Sequence, residues 1–123
     1  MILIIGGAYQ GKTEYAKEMY GVNPERIYDA EIPKKTEGLF IIDHLHEYIK
    51  KQMKEGKDPE TELLELKDLP GCILISNEIG NGIVPMDPFE REYRERTGRI
   101  LIKLAKEAKE VIRVSCGIGQ KLK

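Results

Sequence analysis

Eight consecutive residues near the start of the chain have the types and spacing needed to hold a polyphosphate. Gly6-Gly7-Ala8-Tyr9-Gln10-Gly11-Lys12-Thr13 satisfies G-x-x-x-x-G-K-[ST], with the apolar run Ile2-Leu3-Ile4-Ile5 before it and a helical pattern from Glu14 after it. Gly6 and Gly11 let the backbone turn successive N–H groups inward, and that nest, with the helix N-terminus, suits a triphosphate. Lys12 would reach the β- and γ-phosphates and the Thr13 hydroxyl would bind Mg²⁺. A further group ends the run Leu39-Phe40-Ile41-Ile42-Asp43. An acid closing a buried parallel strand downstream of such a loop is placed to hold Mg²⁺ directly or through water, or else only to cap the next helix. Glu78 also follows a buried strand, a weaker signal because acids often end strands.

These side chains need a scaffold, and the rest of the chain alternates strand and helix patterns. Tyr15, Ala16, Met19 and Tyr20 recur at helical spacing up to a stop at Gly21 and Asn23-Pro24. Arg26 to Ala30 reads as a short second strand and Glu31 to Gly38 as a polar connector. After Asp43, Leu45, Tyr48, Ile49, Gln52 and Met53 line one face of a helix ended by Gly56. Asp58-Pro59 provides an N-cap and a first-turn proline for a helix carrying Leu63, Leu64, Leu66 and Leu69, stopped by Pro70-Gly71. Cys72 to Asn77 is a strand, and Glu78 to Pro85 a glycine-rich loop. Asp87-Pro88-Phe89-Glu90 starts a long helix whose stripe Phe89, Tyr93, Thr97, Ile100, Leu101, Leu104 and Ala108 should be buried. Glu110 to Cys116 is the last expected strand, followed by Gly117-Ile118-Gly119 and a short basic tail.

Alternating strands and helices imply an α/β fold: one domain over residues 1–123, three layers, a mostly parallel sheet with right-handed crossovers and helices on both faces. Ligands of such sheets sit beyond the carboxyl ends of the strands. Residues 6–13, Asp43, Asn77-Glu78 and residues 117–119 are all expected at that edge.

Composition narrows the function. The 123 residues suffice to bury roughly two-thirds of the unfolded surface. A formal net charge of −1 supplies no general attraction to nucleic acid or anionic membrane. No run is long enough to span a bilayer, and the opening apolar stretch leads into the glycine loop instead of a cleavage site. Cys72 and Cys116 both lie in apolar runs, so both are expected as buried, reduced thiols in a cytoplasmic protein. His44 and His46 invite a metal reading, but on a helix residues two apart point away from each other. Arg91, Arg94, Arg96 and Arg99 alternate with Glu90, Glu92 and Glu95, the pattern of a solvated face, from which one or two arginines could still point at the rim and grip a substrate phosphate.

The segment Ser76-Asn77-Glu78-Ile79-Gly80-Asn81-Gly82-Ile83-Val84-Pro85 resembles the "SNEVGxGIVP" segment of the adenosylcobinamide kinase / adenosylcobinamide-phosphate guanylyltransferase family of cobalamin biosynthesis. Arg91, Arg94, Gly98 and Arg99 match the spacing of that family, and residues 115–123 are similar to its closing "SGIGxKxK". Gly6-Gly7-Ala8 with Gly11-Lys12-Thr13 looks like its "GGARSGKS". The resemblance implies a RecA-like P-loop fold, often a trimer, and two activities. One is phosphorylation of a cobinamide alcohol by ATP or GTP with Mg²⁺; the other is transfer of GMP through a guanylylated histidine. Lys12 and Thr13 match the family's phosphate and Mg²⁺ positions, Asp43 its acid, and Asn77 and Glu78 its loop.

The departures from that pattern carry consequences. The family's histidine segment corresponds here to Glu31–Gly38, which has no histidine, and the chain has no tryptophan. Leu101-Ile102 stands for an Asn-Gln pair, and Tyr9 and Gln10 for arginine and serine. Phosphoryl transfer needs only positioning and charge stabilisation, with Lys12, Thr13 and Asp43 in those roles and Glu78 orienting or deprotonating the hydroxyl. Covalent guanylyl transfer needs a nucleophile. The expectation is a nucleotide-dependent kinase of a cobinamide-like alcohol, with a nucleotide-binding regulatory module as the alternative.

Overall fold

A computed structural model describes residues 1–79 and 84–123. The part of the family-like loop at Gly80, Asn81, Gly82 and Ile83 therefore lies outside the described residues. Among the described residues, six strands form one sheet in the order β2-β3-β4-β1-β5-β6. They are β1 Ile2–Gly6, β2 Ile27–Asp29, β3 Phe40–Asp43, β4 Cys72–Asn77, β5 Glu110–Ser115 and β6 Ile118–Lys121. All pairings are parallel except that of β5 with β6.

The inner strands are apolar on both sides because both sides are covered. Leu3, Phe40, Ile42, Leu74 and Val111 pack under α2 (Leu45–Lys54), α3 (Glu60–Leu64) and α4 (Pro88–Glu107), with Leu45, Ile49, Leu63, Ile100 and Leu104 supplied by the helices. Their neighbours Ile4, Ile41, Ile73, Ile75, Ile112 and Val114 face α1 (Lys12–Tyr20) through Ala16. One strand residue in two goes to each face, the period of an extended chain. Three layers result, as the sequence implies.

Helix ends follow from cap chemistry. Asp87 accepts the Phe89 N–H at 3.0 Å ahead of Pro88, and Asp58 accepts the Glu60 N–H and the Thr61 hydroxyl, both at 2.9 Å. The helix that Asp58 starts is shorter than its leucine pattern suggests: it tightens into a 3₁₀ turn over Glu65–Asp68 before Pro70. In α4 Tyr93, Thr97, Ile100 and Leu104 are buried as the spacing predicts, whereas Phe89 and Leu101 of the expected stripe are only half-buried at its edge. Among the described residues, no helix is long and apolar enough to cross a membrane.

Two expectations fail at the C-terminus. The segment read as a basic tail is β6, which returns antiparallel on β5 through a two-residue turn at Cys116 (φ 51°) and Gly117 (φ 75°). Those two left-handed residues give the turn whose twist matches a hairpin. That placement leaves Cys116 exposed on the turn, whereas Cys72 is buried in β4 and its thiol is pushed up to about 12 by burial.

Candidate functional site

The carboxyl edge of the sheet holds an open cleft of about 730 Å³. It is lined by residues 8–14 of the glycine loop, by Asp29 and Ala30 after β2, by Asp43, His44, His46 and Glu47 around the end of β3, and by Ile75, Ser76 and Asn77 of β4. The glycines of the loop answer to geometry. A Cβ on Gly6 would lie 2.4 Å from the Val114 carbonyl oxygen, and Gly11 sits at φ 84° as the N-cap of α1. With Gly11 turned this way, the first N–H groups of α1 open toward the loop, the arrangement that binds anions at helix N-termini.

Lys12 and Thr13 begin α1 on the edge of this cleft. The Lys12 side chain is buried, and its ammonium donates to the Gly7 carbonyl at 2.6 Å and to Asn77 Oδ1 at 2.9 Å. Burial pulls its pKa below the ordinary value, opposed by the carboxylates of Asp43 and Glu78. Thr13 donates its hydroxyl to Asp43 Oδ2 at 2.7 Å, joining the first turn of α1 to the end of β3. The other oxygen of Asp43 accepts the His44 N–H at 2.8 Å. A hydroxyl and a carboxylate are hard oxygen ligands of the kind Mg²⁺ takes alongside phosphate and water oxygens, so this pair fits that ion.

The two histidines depart from helix geometry. His44 is the non-helical N-cap of α2 with φ 53°, so helix spacing begins only at Leu45. Its ring turns back to Asp29, with Nδ1 2.5 Å from Oδ1, and lies 5.8 Å from the ring of His46 at an interplanar angle of 71°. The two rings therefore meet where helical spacing would have separated them. His46 is buried; its Nδ1 accepts the Asn77 N–H at 3.2 Å and its carbonyl accepts the Tyr93 hydroxyl at 3.0 Å. Because Nδ1 is an acceptor, the neutral ring carries its proton on Nε2. Burial pushes the His46 pKa down, helped by His44 and Lys12 and opposed by Glu47 and Asp43. Among the described residues, no group of three or more His, Cys, Asp or Glu is arranged to hold a metal ion.

Glu78 stands beside the loop, its N–H donating to the Gly6 carbonyl at 2.9 Å. Its Oε1 accepts two bonds from Arg113, at 2.9 Å from Nε and 2.7 Å from Nη2, and Glu78 is not among the residues lining the cleft. Of the arginines on α4, Arg96 pairs with Asp58 at 3.4 Å and Arg99 with Glu95 at 3.3 Å. The sequence reading missed Arg113 and Asp29. Arg113 interrupts the apolar run Val111-Ile112-Val114 and Asp29 ends β2, which is the one local signal either offered.

Strand, glycine loop, helix, and an acid ending the next-but-one parallel strand and bonded back to Thr13 define a class: α/β proteins with a glycine loop at the carboxyl edge of a mostly parallel sheet. Within that class, the family model for cobinamide kinase / cobinamide phosphate guanyltransferase matches residues 28–122, and the chain belongs to that family. The match starts after the glycine loop, so the loop stands on its own sequence and shape. The bifunctional adenosylcobalamin biosynthesis proteins CobU of Salmonella typhimurium and of Escherichia coli K12 are each 45% identical over 51 residues. That stretch is 42% of this chain and 28% of either relative, so the similarity spans well under half the length of the curated relatives.

Proposed function

We propose that the cleft binds Mg²⁺ with ATP or GTP and transfers the γ-phosphoryl group to a cobinamide-like alcohol. The observation that carries this reading is the Thr13–Asp43 hydrogen bond of 2.7 Å beside the buried Lys12 ammonium. It brings a hydroxyl of the loop and a carboxylate of β3 together, and these two oxygens would hold Mg²⁺. Bound there, the ion would neutralise charge on the phosphates. The nest of N–H groups before α1 orients the phosphate tail. Lys12 exchanges its bonds to Gly7 and Asn77 for phosphate oxygens and stabilises the transferred group. Asn77, bonded to both Lys12 and His46, sets where that ammonium starts. Glu78, held by Arg113 through Oε1, orients the acceptor hydroxyl or takes its proton. The RecA-like P-loop fold, the cobinamide substrate and a homo-oligomeric assembly, a trimer by family resemblance, belong to this proposal. The test is turnover with ATP or GTP and adenosylcobinamide, with Lys12→Ala as control. Activity indifferent to that substitution would reject the role given to Lys12, and nucleotide binding with no phosphate product would favour a binding module.

One observation favours guanylyl transfer as a second activity. His44 and His46 both line the cleft, and the contact of His44 Nδ1 with Asp29 leaves the other ring nitrogen to attack the α-phosphate of GTP, breaking the α,β-bridging P–O bond and releasing pyrophosphate. That reading predicts label on the protein after exposure to GTP labelled at the α-phosphate, lost in His44→Ala or His46→Ala. An unlabelled protein that binds GTP would remove it.

A further inference from the structure

A nucleoside triphosphate seated as proposed has its phosphate tail at one end of the loop and its base at the other, and the structure distinguishes the two ends. The tail end is marked by Thr13 and Asp43; Asp43 lies on β3, to one side of β1 in the sheet order. On the opposite side of β1 lie β5 and its hairpin to β6. There the loop is pinned to the turn: the Gln10 carbonyl accepts the Gly117 N–H at 2.8 Å, and Gln10 Oε1 accepts the Cys116 N–H at 2.7 Å. Gln10 stands in the loop as the clamp, and the residue before it is Tyr9.

Tyr9 has two features that do not help the chain fold. Its backbone is left-handed, with φ 60°, a conformation that costs a residue bearing a Cβ. Its ring is fully exposed at the cleft and buries nothing against the protein. Ile118, the residue after the turn, adds a second exposed apolar side chain on the hairpin that clamps the loop. An aromatic face held in water at the cleft, on a segment tied to the β5–β6 turn through Gln10, is what a planar ligand group requires. Backbone strain combined with exposure at a binding cleft also points to function over stability.

We infer that the Tyr9 ring is the platform on which the base of the bound nucleotide stacks, the polyphosphate running from Tyr9 toward Thr13 and Asp43. The inference rests on the nucleotide reading above and adds a side-chain role to a residue otherwise engaged through the loop backbone. Stacking tolerates any base because every base has a π-face, so Tyr9 holds adenine and guanine alike.

Titration calorimetry with Mg²⁺ present separates this inference from the reading beneath it. The probes are ATP, GTP and inorganic tripolyphosphate; the proteins are the unmodified chain, Tyr9→Ala and Tyr9→Phe. Tyr9→Ala is expected to weaken ATP and GTP by roughly 5- to 100-fold, the range alanine substitution gives for one stacked base. Tyr9→Phe keeps the ring and should bind both as the unmodified chain does, and all three proteins should bind tripolyphosphate equally. Unchanged ATP and GTP affinity in Tyr9→Ala, or an equal loss for tripolyphosphate, would overturn the inference. Failure of tripolyphosphate to bind the unmodified chain would overturn the phosphate-loop reading itself.

Discussion

The middle and the β2 flank of the cleft are built from similar residue types and differ in burial. In the middle, Lys12 is 8% exposed and the side chain of Asp43 14% exposed, and their partners Asn77, Gly7 and Thr13 lie within hydrogen-bond distance. At the flank, the side chains of His44 and Asp29 pair at 2.5 Å but are 52% and 78% exposed. Distance alone would make the flank pair the stronger of the two. Solvent screening reverses that order, because an exposed ion pair contributes little and a buried charge must be matched. The middle is thus organised before any ligand arrives, and the flank is free to rearrange around one.

Substitutions should separate the two regions in that order. Lys12→Ala removes the buried cation and should lower phosphoryl-transfer kcat/KM about 100- to 1,000-fold, as loss of a transition-state charge donor does, measured against adenosylcobinamide with ATP or GTP. Asp43→Asn keeps the shape of the Thr13 contact and removes the charge, and should weaken Mg²⁺-dependent nucleotide binding roughly 10- to 100-fold. Nucleotide binding in EDTA should barely change. An equal loss with and without Mg²⁺ would show that Asp43 acts on loop structure instead of on the ion.

His46 gives the comparison a pH axis. Its folded pKa lies below the ordinary value of 6.5, chiefly through burial, so the unfolded chain binds the extra proton first as pH falls. The stability it contributes is fully present above about pH 6.5, declines as pH falls below that value, and stops declining once the lowered folded pKa is passed. Urea unfolding at pH 7.5 and pH 5.5 should show the decline, and His46→Gln should reduce it. Only below the lowered folded pKa does the native ring itself gain a proton, which would set an N–H on Nδ1 against the Asn77 N–H and disturb the partner of Lys12. The smallest effect belongs to the flank: His44→Ala should change unfolding free energy by no more than about 0.5 kcal/mol, as for other exposed pairs. A loss of several kcal/mol would mean that the flank is as structural as the middle.

The central features of the cleft were legible in sequence because they are local. Gly6 to Thr13 carry their own chemistry, Phe40 to Asp43 and Cys72 to Asn77 are continuous apolar runs, and Asp87-Pro88 announces a helix. What escaped was long-range or conformational. The Arg113–Glu78 pair joins residues far apart in the chain that meet only when β4 and β5 both flank β1. The His44 ring reaches Asp29 because its backbone is left-handed, which periodicity does not reveal. β6 is a mostly polar strand containing Gly119 and lacks the apolar alternation that marks a strand. Its only sequence cue was the Cys116-Gly117 turn, and the same turn carries Cys116 out into solvent.

The claim on which the account stands is that the loop before α1 takes up the tail of a triphosphate with Lys12 as its cation. Calorimetric titration of the folded chain with ATP and GTP in Mg²⁺, repeated on Lys12→Ala, measures this directly. The account predicts one-to-one uptake of at least one nucleotide, weakened by roughly tenfold or more in the variant, as the loss of a charge-assisted hydrogen-bond donor requires. No uptake by the folded chain, or uptake that Lys12→Ala leaves unchanged, would contradict it.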